Sequence, residues 1–236
     1  MGAVLLAPAV APTTARAAGA SRIYARAVWQ ARSPRGRVLR AVGRPKRIIV
    51  HHTATANTPD LSRTRAFALA RAIQSHHMDG FGWIDTGQHF TVSRGAYVLE
   101  GREGSLASLV GGERMVVGTH CSGQNGVSIG IETEGTYTHG TPPAQQYEAL
   151  VELCARLCRR HRLAASEIYG HRDFNATLCP GDALYGLLPR LRQDVGAAGG
   201  EPQGTRRAAV TESAGGVWEE LRTSALPFGD LWIDSH

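Results

Sequence analysis

The sequence is poor in several features that define large classes of proteins. It has four cysteines in 236 residues, which is too few and too scattered for a disulfide framework. It lacks the run of about 18 uninterrupted apolar residues that a membrane-spanning helix needs. Aromatic residues make up only 6% of the chain and do not alternate with basic residues in a stripe. A role in nucleic-acid binding is therefore not expected.

What the sequence contains is typical of an exported protein with one domain. Its hydrophobic content of 42% is enough for a core, and its 236 residues can hold one domain of ordinary size plus tails. The net charge of +6 comes almost entirely from arginine and would attract an anionic polymer such as a bacterial cell wall. We therefore consider the extracellular side of the cell envelope first.

The N-terminal segment supports the same location. Residues 4–12 are apolar, and small residues around Ala15 and Ala17 follow them, as at a signal-peptidase site. The basic segment that normally precedes such a run is missing. We interpret residues 1–20 as the remnant of an export signal and expect a secreted or envelope protein. A disordered leader rich in alanine and proline is the alternative.

Composition divides the rest of the chain into an approach segment, a core domain and a tail. Residues 21–46 form an irregular approach rich in arginine and proline, residues 47–195 the core domain, and residues 196–236 a flexible C-terminal tail. Within the core domain, the spacing of apolar residues predicts that strands and helices interleave. Such interleaving is typical of an α/β fold in which helices flank a mixed central β-sheet.

The predicted elements can be stated by residue range. The predicted strands are 47–53, 88–94, 97–101, 128–135 and 168–172. One helix runs through 67–74 and is capped by Asp60 or Ser62. A second is predicted to begin at residues 141–143, with proline in its first turn, and it carries Cys154 and Cys158 on its apolar face as small buried hydrophobes. The last helix is 182–195, with a kink at Pro189.

Three side chains form the strongest candidate site. The predicted strand 47–53 ends on His51 and His52, and a later segment carries His171 and Cys179, eight residues apart, beside a Pro-Gly turn. One histidine of the strand together with His171 and Cys179 would give zinc three protein ligands, the number found in catalytic sites. Because side chains alternate along a strand, His51 and His52 face opposite sides. A structural histidine at a strand end is the alternative.

Five motifs follow one another at spacings that fit a known family. They lie at residues 50–55, 82–90, 97–102, 118–132 and 170–181. Together they resemble the zinc-dependent N-acetylmuramoyl-L-alanine amidases, a family that includes phage amidase-type lysozymes and the peptidoglycan recognition proteins. Residues 25–32 are similar to the lead-in of the recognition proteins. The resemblance covers about residues 22–195 and implies a single domain with this family's fold.

This resemblance implies a zinc site and a proton-transferring carboxylate. The implied ligands are His51, His171 and Cys179, and zinc held there would lower the pKa of water to about 7 and polarise an amide carbonyl. Glu132 stands where the anhydromuropeptide amidases of the family keep their catalytic glutamate. Glu134, two residues further along the same strand, is its rival. The alternative is that both are solvated acids on a sheet face.

Four further residues are assigned to catalysis or to substrate binding. Thr177 matches a position where family members carry Thr or Lys near the oxyanion, although a hydroxyl that caps its own loop is an equal alternative. Gln88 stands where active relatives have a catalytic tyrosine; its amide can bind substrate but cannot exchange protons near neutral pH. His120 and Asn125, in the loop before the Glu132 strand, are predicted to contact the peptide or muramyl group. A role in the turn is their alternative.

The sequence thus predicts a zinc amidase that cleaves the bond between N-acetylmuramic acid and the L-alanine of peptidoglycan stem peptides. The expected cofactor is Zn²⁺, the expected partner is peptidoglycan, and the expected oligomeric state is a monomer. One alternative is a non-catalytic peptidoglycan-binding module that retains a structural zinc. The other is a zinc hydrolase that acts on a different amide.

Overall fold

A mixed six-stranded sheet forms the centre of the computed structural model, which describes residues 22–41, 43–111 and 114–200. Its strands are β1 (Ile23–Tyr24), β2 (Arg47–His52), β3 (Phe90–Val92), β4 (Val98–Glu100), β5 (Ser128–Thr133) and β6 (Ile168–Gly170). They lie in the order β1-β4-β3-β5-β2-β6. The β3–β4 hairpin is antiparallel and the other neighbouring pairs are parallel. The predicted mixed sheet and the hairpin are confirmed.

Helices cover both faces of this sheet. The α-helices are α1 (Arg63–Ser75), α2 (Ser105–Gly111), α3 (Ala144–His161), α4 (Asp182–Gly186) and α5 (Leu188–Val195). The hydroxyl of Ser62 accepts the N–H of Arg65 at 3.1 Å, so Ser62, not Asp60, caps α1. Among the described residues, no helix combines the length and the apolar character needed to cross a membrane.

The central strand β2 is covered on both of its faces. Ile48, Ile49 and Val50 are completely buried, as expected for a strand inside a parallel sheet. Ile48 and Val50 face the larger apolar cluster, to which α3 and α5 contribute. The opposite face carries the smaller cluster of Trp29, Leu99 and alanines of α1. The side chains of the candidate site share that second face.

Several predicted elements differ in detail from the structure. The helix predicted over 182–195 is two helices, and Pro189 lies in the first turn of α5, where its missing N–H costs no hydrogen bond. Pro143 is the residue before α3 rather than part of its first turn. The approach segment contributes β1, which pairs with β4. Neither β1 nor α2 was expected from the sequence.

The cysteines agree with the sequence analysis where the structure describes them. Cys154 and Cys158 are fully buried in the apolar face of α3, as predicted. All four cysteines lie in the described residues and none forms a disulfide with another. The predicted leader at 1–20 and residues 201–236 of the predicted tail, with Trp218 and Trp232, lie outside the described residues.

Candidate active site

The candidate site lies at the carboxyl ends of the parallel strands. Thr91 on β3, Glu132 on β5 and His51 on β2 are register neighbours, so their side chains share one face of the sheet. On the next strand, Gly170 of β6 pairs with Val50, and the chain then turns into His171. Open α/β sheets bind ligands at this edge. The fold thus places side chains from segments that are distant in sequence next to one another at this edge of the sheet.

His51, His171 and Cys179 form a compact group of ligand-type side chains. One nitrogen or sulfur from each lies within 4.8 Å of the others, and all three residues are buried. His51 Nδ1 is 3.6 Å from Cys179 Sγ, across 128 positions of sequence. The His51 and His171 rings are 4.6 Å apart between centroids. The N–H of Arg172 donates to the Cys179 carbonyl at 3.0 Å and closes the loop that carries His171 and Cys179.

His52 is not part of this group, as the alternation along β2 predicted. Its Nδ1 accepts the backbone N–H of Tyr137 at 3.2 Å on the opposite face of the sheet. Burial, followed by the charge of Arg172, lowers the pKa of His52 to about 4. The imidazole is therefore a neutral hydrogen-bond acceptor in the core, which is the structural role that the sequence analysis allowed for a histidine at a strand end.

The two histidines of the group are held by partners on their outer sides. His171 Nε2 lies 3.0 Å from Asn175 Oδ1, an acceptor, so Nε2 carries the ring proton and the lone pair is on Nδ1. His51 Nε2 lies 3.0 Å from His120 Nδ1. Burial, and then the nearby His171 and His120, hold the pKa of His51 well below its usual range. Neutral imidazoles are the form that binds metals.

Glu132 and Glu134 are both buried, so neither is the solvated acid of the sequence alternative. Glu134 forms an ion pair with Arg65 at 3.2 Å and accepts the N–H of Arg94 at 2.8 Å. By contrast, Glu132 Oε2 is buried and has no hydrogen-bond partner within the described part of the chain. Burial raises the pKa of Glu132 to about 8. Of these two carboxyl groups, that of Glu132 has the pKa raised by burial and lies on the strand position next to His51.

Gln88 is buried beside Thr91. Its Nε2 donates to Thr91 Oγ1 at 3.0 Å, and only 2% of the residue is exposed. Gln88 Oε1 is buried and has no partner among the residues that the structure describes. Thr177 lies two residues before Cys179, and its hydroxyl oxygen accepts the Cys179 N–H at 3.1 Å. The loop-capping bond weighed for Thr177 is thus present.

The two loop residues assigned to substrate have contacts inside the protein. Asn125 Oδ1 accepts the backbone N–H groups of His120 and Cys121 at 2.7 and 3.0 Å, which shapes the turn. His120 is only 7% exposed and contacts His51 directly. That these residues touch substrate stays a prediction. Asn175 was not expected from the sequence, although its position four residues after His171 was an available signal. Its Oδ1 also accepts the thiol of Cys121 at 3.1 Å.

The fold and site define a class of protein: a mixed α/β domain with a buried His–His–Cys group and a carboxyl group at the carboxyl ends of its strands. The profile of the N-acetylmuramoyl-L-alanine amidase family (Amidase_2) matches residues 41–182. The chain belongs to this family.

Individual relatives include an amidase and recognition proteins. A human N-acetylmuramoyl-L-alanine amidase is 32% identical over 172 residues, which is 72% of this chain but only 28% of that protein. The Drosophila melanogaster peptidoglycan-recognition protein SC1a is 33% identical over 138 residues, 58% of this chain and 68% of the relative. The chain therefore spans little more than a quarter of that human amidase.

Solved structures of recognition proteins share the fold. The complex of tracheal cytotoxin with the recognition proteins LCa and LCx gives a TM-score of 0.62 at 32% identity, over 71% of this chain and 95% of that one. Human recognition protein Iβ C, bound to a glycosamyl muramyl pentapeptide, gives 0.60 at 30% identity, over 70% and 93% of the two chains. Both of these relatives were solved with peptidoglycan fragments.

Proposed function

We propose that this protein is a zinc-dependent N-acetylmuramoyl-L-alanine amidase that cleaves the amide between N-acetylmuramic acid and the L-alanine of peptidoglycan stem peptides. The observation that carries the proposal is the buried group of His51, His171 and Cys179 beside the carboxyl of Glu132. Membership of the amidase family supports it. The substrate class is supported by relatives solved with muramyl peptides or tracheal cytotoxin.

The spacing of one pair of ligand-type atoms fits zinc, and the ligand-type atoms of His51, His171 and Cys179 all lie within 4.8 Å of one another. Bond lengths of about 2.0 Å to nitrogen and 2.3 Å to sulfur, at a tetrahedral angle, separate the two ligand atoms by about 3.5 Å. His51 Nδ1 and Cys179 Sγ are 3.6 Å apart. Three protein ligands leave the fourth tetrahedral position open, as in catalytic zinc sites. When bound, zinc supplies Lewis acidity that polarises a carbonyl and makes water more acidic.

Glu132 is the residue that we propose to move protons. Burial alone keeps the carboxyl protonated at neutral pH, because the pKa is raised to about 8. A divalent cation held by His51, His171 and Cys179 would favour the carboxylate and oppose this shift, which would make both forms accessible near neutral pH. Glu132 then takes a proton from the attacking water and returns it to the leaving amine of the L-alanine.

Thr177 and Gln88 are proposed to assist at the reacting amide. The place of Thr177, two residues from Cys179, suits a hydroxyl that donates to the developing oxyanion. The buried Gln88 Oε1 suits an acceptor for an N–H or O–H of substrate, since it has no partner in the described ranges. We keep Asn125 and His120 as predicted substrate contacts. We also propose that the protein is a monomer and that it is secreted or lies on the extracellular side of the cell envelope, which suits this substrate.

One observation favours a second candidate function. Gln88 occupies the position at which the sequence resemblance expects a catalytic tyrosine, and an amide cannot exchange protons near neutral pH. The alternative is therefore a peptidoglycan-binding module that keeps a structural zinc and has lost turnover. Named relatives include both amidases and recognition proteins, so the family as such is compatible with either function.

A matched pair of variants tests the proposal. Glu132→Gln keeps the shape of the side chain and removes its proton transfer, so release of stem peptide from purified peptidoglycan should fall about 10²–10⁴-fold. Zinc content, measured by elemental analysis, should not change. The control Glu134→Gln breaks the ion pair with Arg65 and should retain release. Wild-type protein that sediments with the polymer but releases nothing would favour the binding module.

A further inference from the structure

A continuous chain of hydrogen-bonded groups runs from the backbone to His51. Ser128 Oγ is 2.8 Å from the carbonyl oxygen of Gln124 and 3.3 Å from His120 Nε2. His120 Nδ1 is 3.0 Å from His51 Nε2, and His51 Nδ1 is 3.6 Å from Cys179 Sγ. The three side chains between the carbonyl and Cys179 are at least nine-tenths buried. Each group in this chain has a partner on both sides.

The carbonyl at one end fixes the direction of every bond in the chain. A carbonyl only accepts, so Ser128 gives its single proton to Gln124, and its oxygen accepts from His120 Nε2. A neutral imidazole has one ring proton, so His120 Nδ1 is the acceptor and His51 Nε2 is the donor. The lone pair of His51 is then on Nδ1, the atom that faces Cys179.

If every donor and acceptor in the chain exchanged roles, the hydrogen bond between Ser128 and the Gln124 carbonyl would be lost. If His120 Nδ1 donated to His51, then His120 Nε2 would need the proton of Ser128. The 2.8 Å contact between Ser128 and the Gln124 carbonyl would then join two oxygens with no proton between them. A buried hydrogen bond would be lost, and the proton of His51 would be moved onto the nitrogen that faces Cys179.

The packing around His120 holds its ring in this chain. A Cβ on Gly130 of β5 would lie 2.5 Å from His120 Cγ, and a Cβ on Gly118 would lie 2.6 Å from His120 Cδ2. The ring thus rests against backbone at two glycines. In addition, Asn125 Oδ1 accepts the backbone N–H of His120 at 2.7 Å. These contacts with the backbone fix the position of the ring.

We propose that His120 is a positioning residue that keeps the ring proton of His51 on Nε2 and presents Nδ1 as a metal ligand, with Ser128 and the Gln124 carbonyl as its anchor. This inference rests on the proposed metal role of His51. It assigns to His120 a role in metal affinity in addition to the predicted substrate contact. Partners of this kind orient ligand histidines and change metal affinity about 10–100-fold when removed.

The first test reads the tautomers directly. Zinc-free wild-type protein is labelled with ¹⁵N-histidine, and long-range ¹H–¹⁵N correlations identify the protonated nitrogen of each ring. We expect neutral rings with the proton on Nε2 for both His51 and His120. Ser128→Ala removes the anchor and should give His120 a mixture of tautomers. A proton on Nδ1 of His51 in the wild-type protein would overturn the proposal.

The second test separates hydrogen bonding from space filling. His120→Leu removes the acceptor, whereas His120→Asn places an amide oxygen close to the position of Nδ1. Competition with a chromogenic chelator should show zinc bound about 10–100-fold more weakly by the leucine variant. The asparagine variant should stay close to wild type. Equal weakening in both variants, or unchanged affinity in the leucine variant, would contradict the proposal.

These readouts are independent of hydrolysis. If the protein binds zinc with the expected tautomers but cleaves nothing, the amidase function fails and the role of His120 stands. If release of stem peptide is observed while His51 carries its proton on Nδ1, the role of His120 fails and the amidase stands. The tautomers of His51 and His120 in the wild-type protein test the proposed role of His120 even if a variant does not fold.

Discussion

The buried carboxyl of Glu132 should make the stability of the zinc-free protein fall as the pH rises. Burial raises its pKa from the ordinary value of 4.5 to about 8. Between these values the unfolded chain has lost the proton that the folded protein retains. The stabilising effect of this proton is thus complete below pH 4.5 and is lost as the pH rises through about 8.

The size of the effect follows from the two pKa values. Each pH unit in this interval changes the free energy of unfolding by about 1.4 kcal/mol, so the full interval corresponds to about 5 kcal/mol. Glu132→Gln has a similar shape and does not titrate. The wild-type protein should therefore lose about 1.4 kcal/mol per pH unit relative to the variant, whatever the other groups do.

Urea denaturation of both chelator-treated proteins at pH 5, 6, 7 and 8 measures this difference. The variant serves as the reference at each pH, so titrations shared by both proteins cancel. Added zinc should flatten the difference, since a nearby cation stabilises the carboxylate. Stability curves that run parallel in the zinc-free proteins would show that Glu132 is ionised in the fold, and would refute the reasoning from burial.

Two further substitutions test the geometry of the site. Cys179→Ser replaces a thiolate by a hydroxyl and should weaken zinc binding and lower the melting temperature of the zinc-loaded protein, because metal binding is coupled to folding; full zinc content and an unchanged melting temperature would contradict this. Gly130→Ala places a methyl group 2.5 Å from the Cγ of His120 and should cost about 1–3 kcal/mol in chemical denaturation. A variant as stable as wild type would show that His120 moves aside freely.

Local patterns in the sequence predicted most of the strands and helices. Ile48, Ile49 and Val50 form a short β-branched run that predicts a buried strand, and the spacing of Leu150 and Leu153 predicts a helix. The two elements that were missed have no such pattern. Strand β1 is only two residues long, and the buried residues of α2 include two serines.

The choice between Glu132 and Glu134 depended on tertiary contacts. Period-two alternation puts both side chains on the same face of a strand, so the strand pattern does not separate them, and only the family resemblance favoured Glu132. In the fold, β5 ends at Thr133, and the carboxylate of Glu134 meets Arg65 and the N–H of Arg94. These partners lie 69 and 40 positions away in sequence, and no local pattern reports on them.

The contact between His120 and His51 could not be predicted from the sequence because it also depends on tertiary structure. It requires β2 and β5 to pair so that the His120 ring can rest on Gly130, and it requires the turn to be closed by Asn125. A histidine in a glycine-rich loop suggests an exposed contact residue, and the structure instead buries it against a candidate ligand.

The proposed amidase function is tested most directly by identifying the products that the protein releases from peptidoglycan. Zinc-loaded protein and a chelator-treated control are incubated with purified peptidoglycan, and soluble products are identified by mass spectrometry and end-group labelling. The account predicts free stem peptides with a new L-alanine amino terminus, intact glycan strands, and no release with chelator. Products with glycan still joined to L-alanine, or no soluble peptide from a protein with full zinc content, would contradict it.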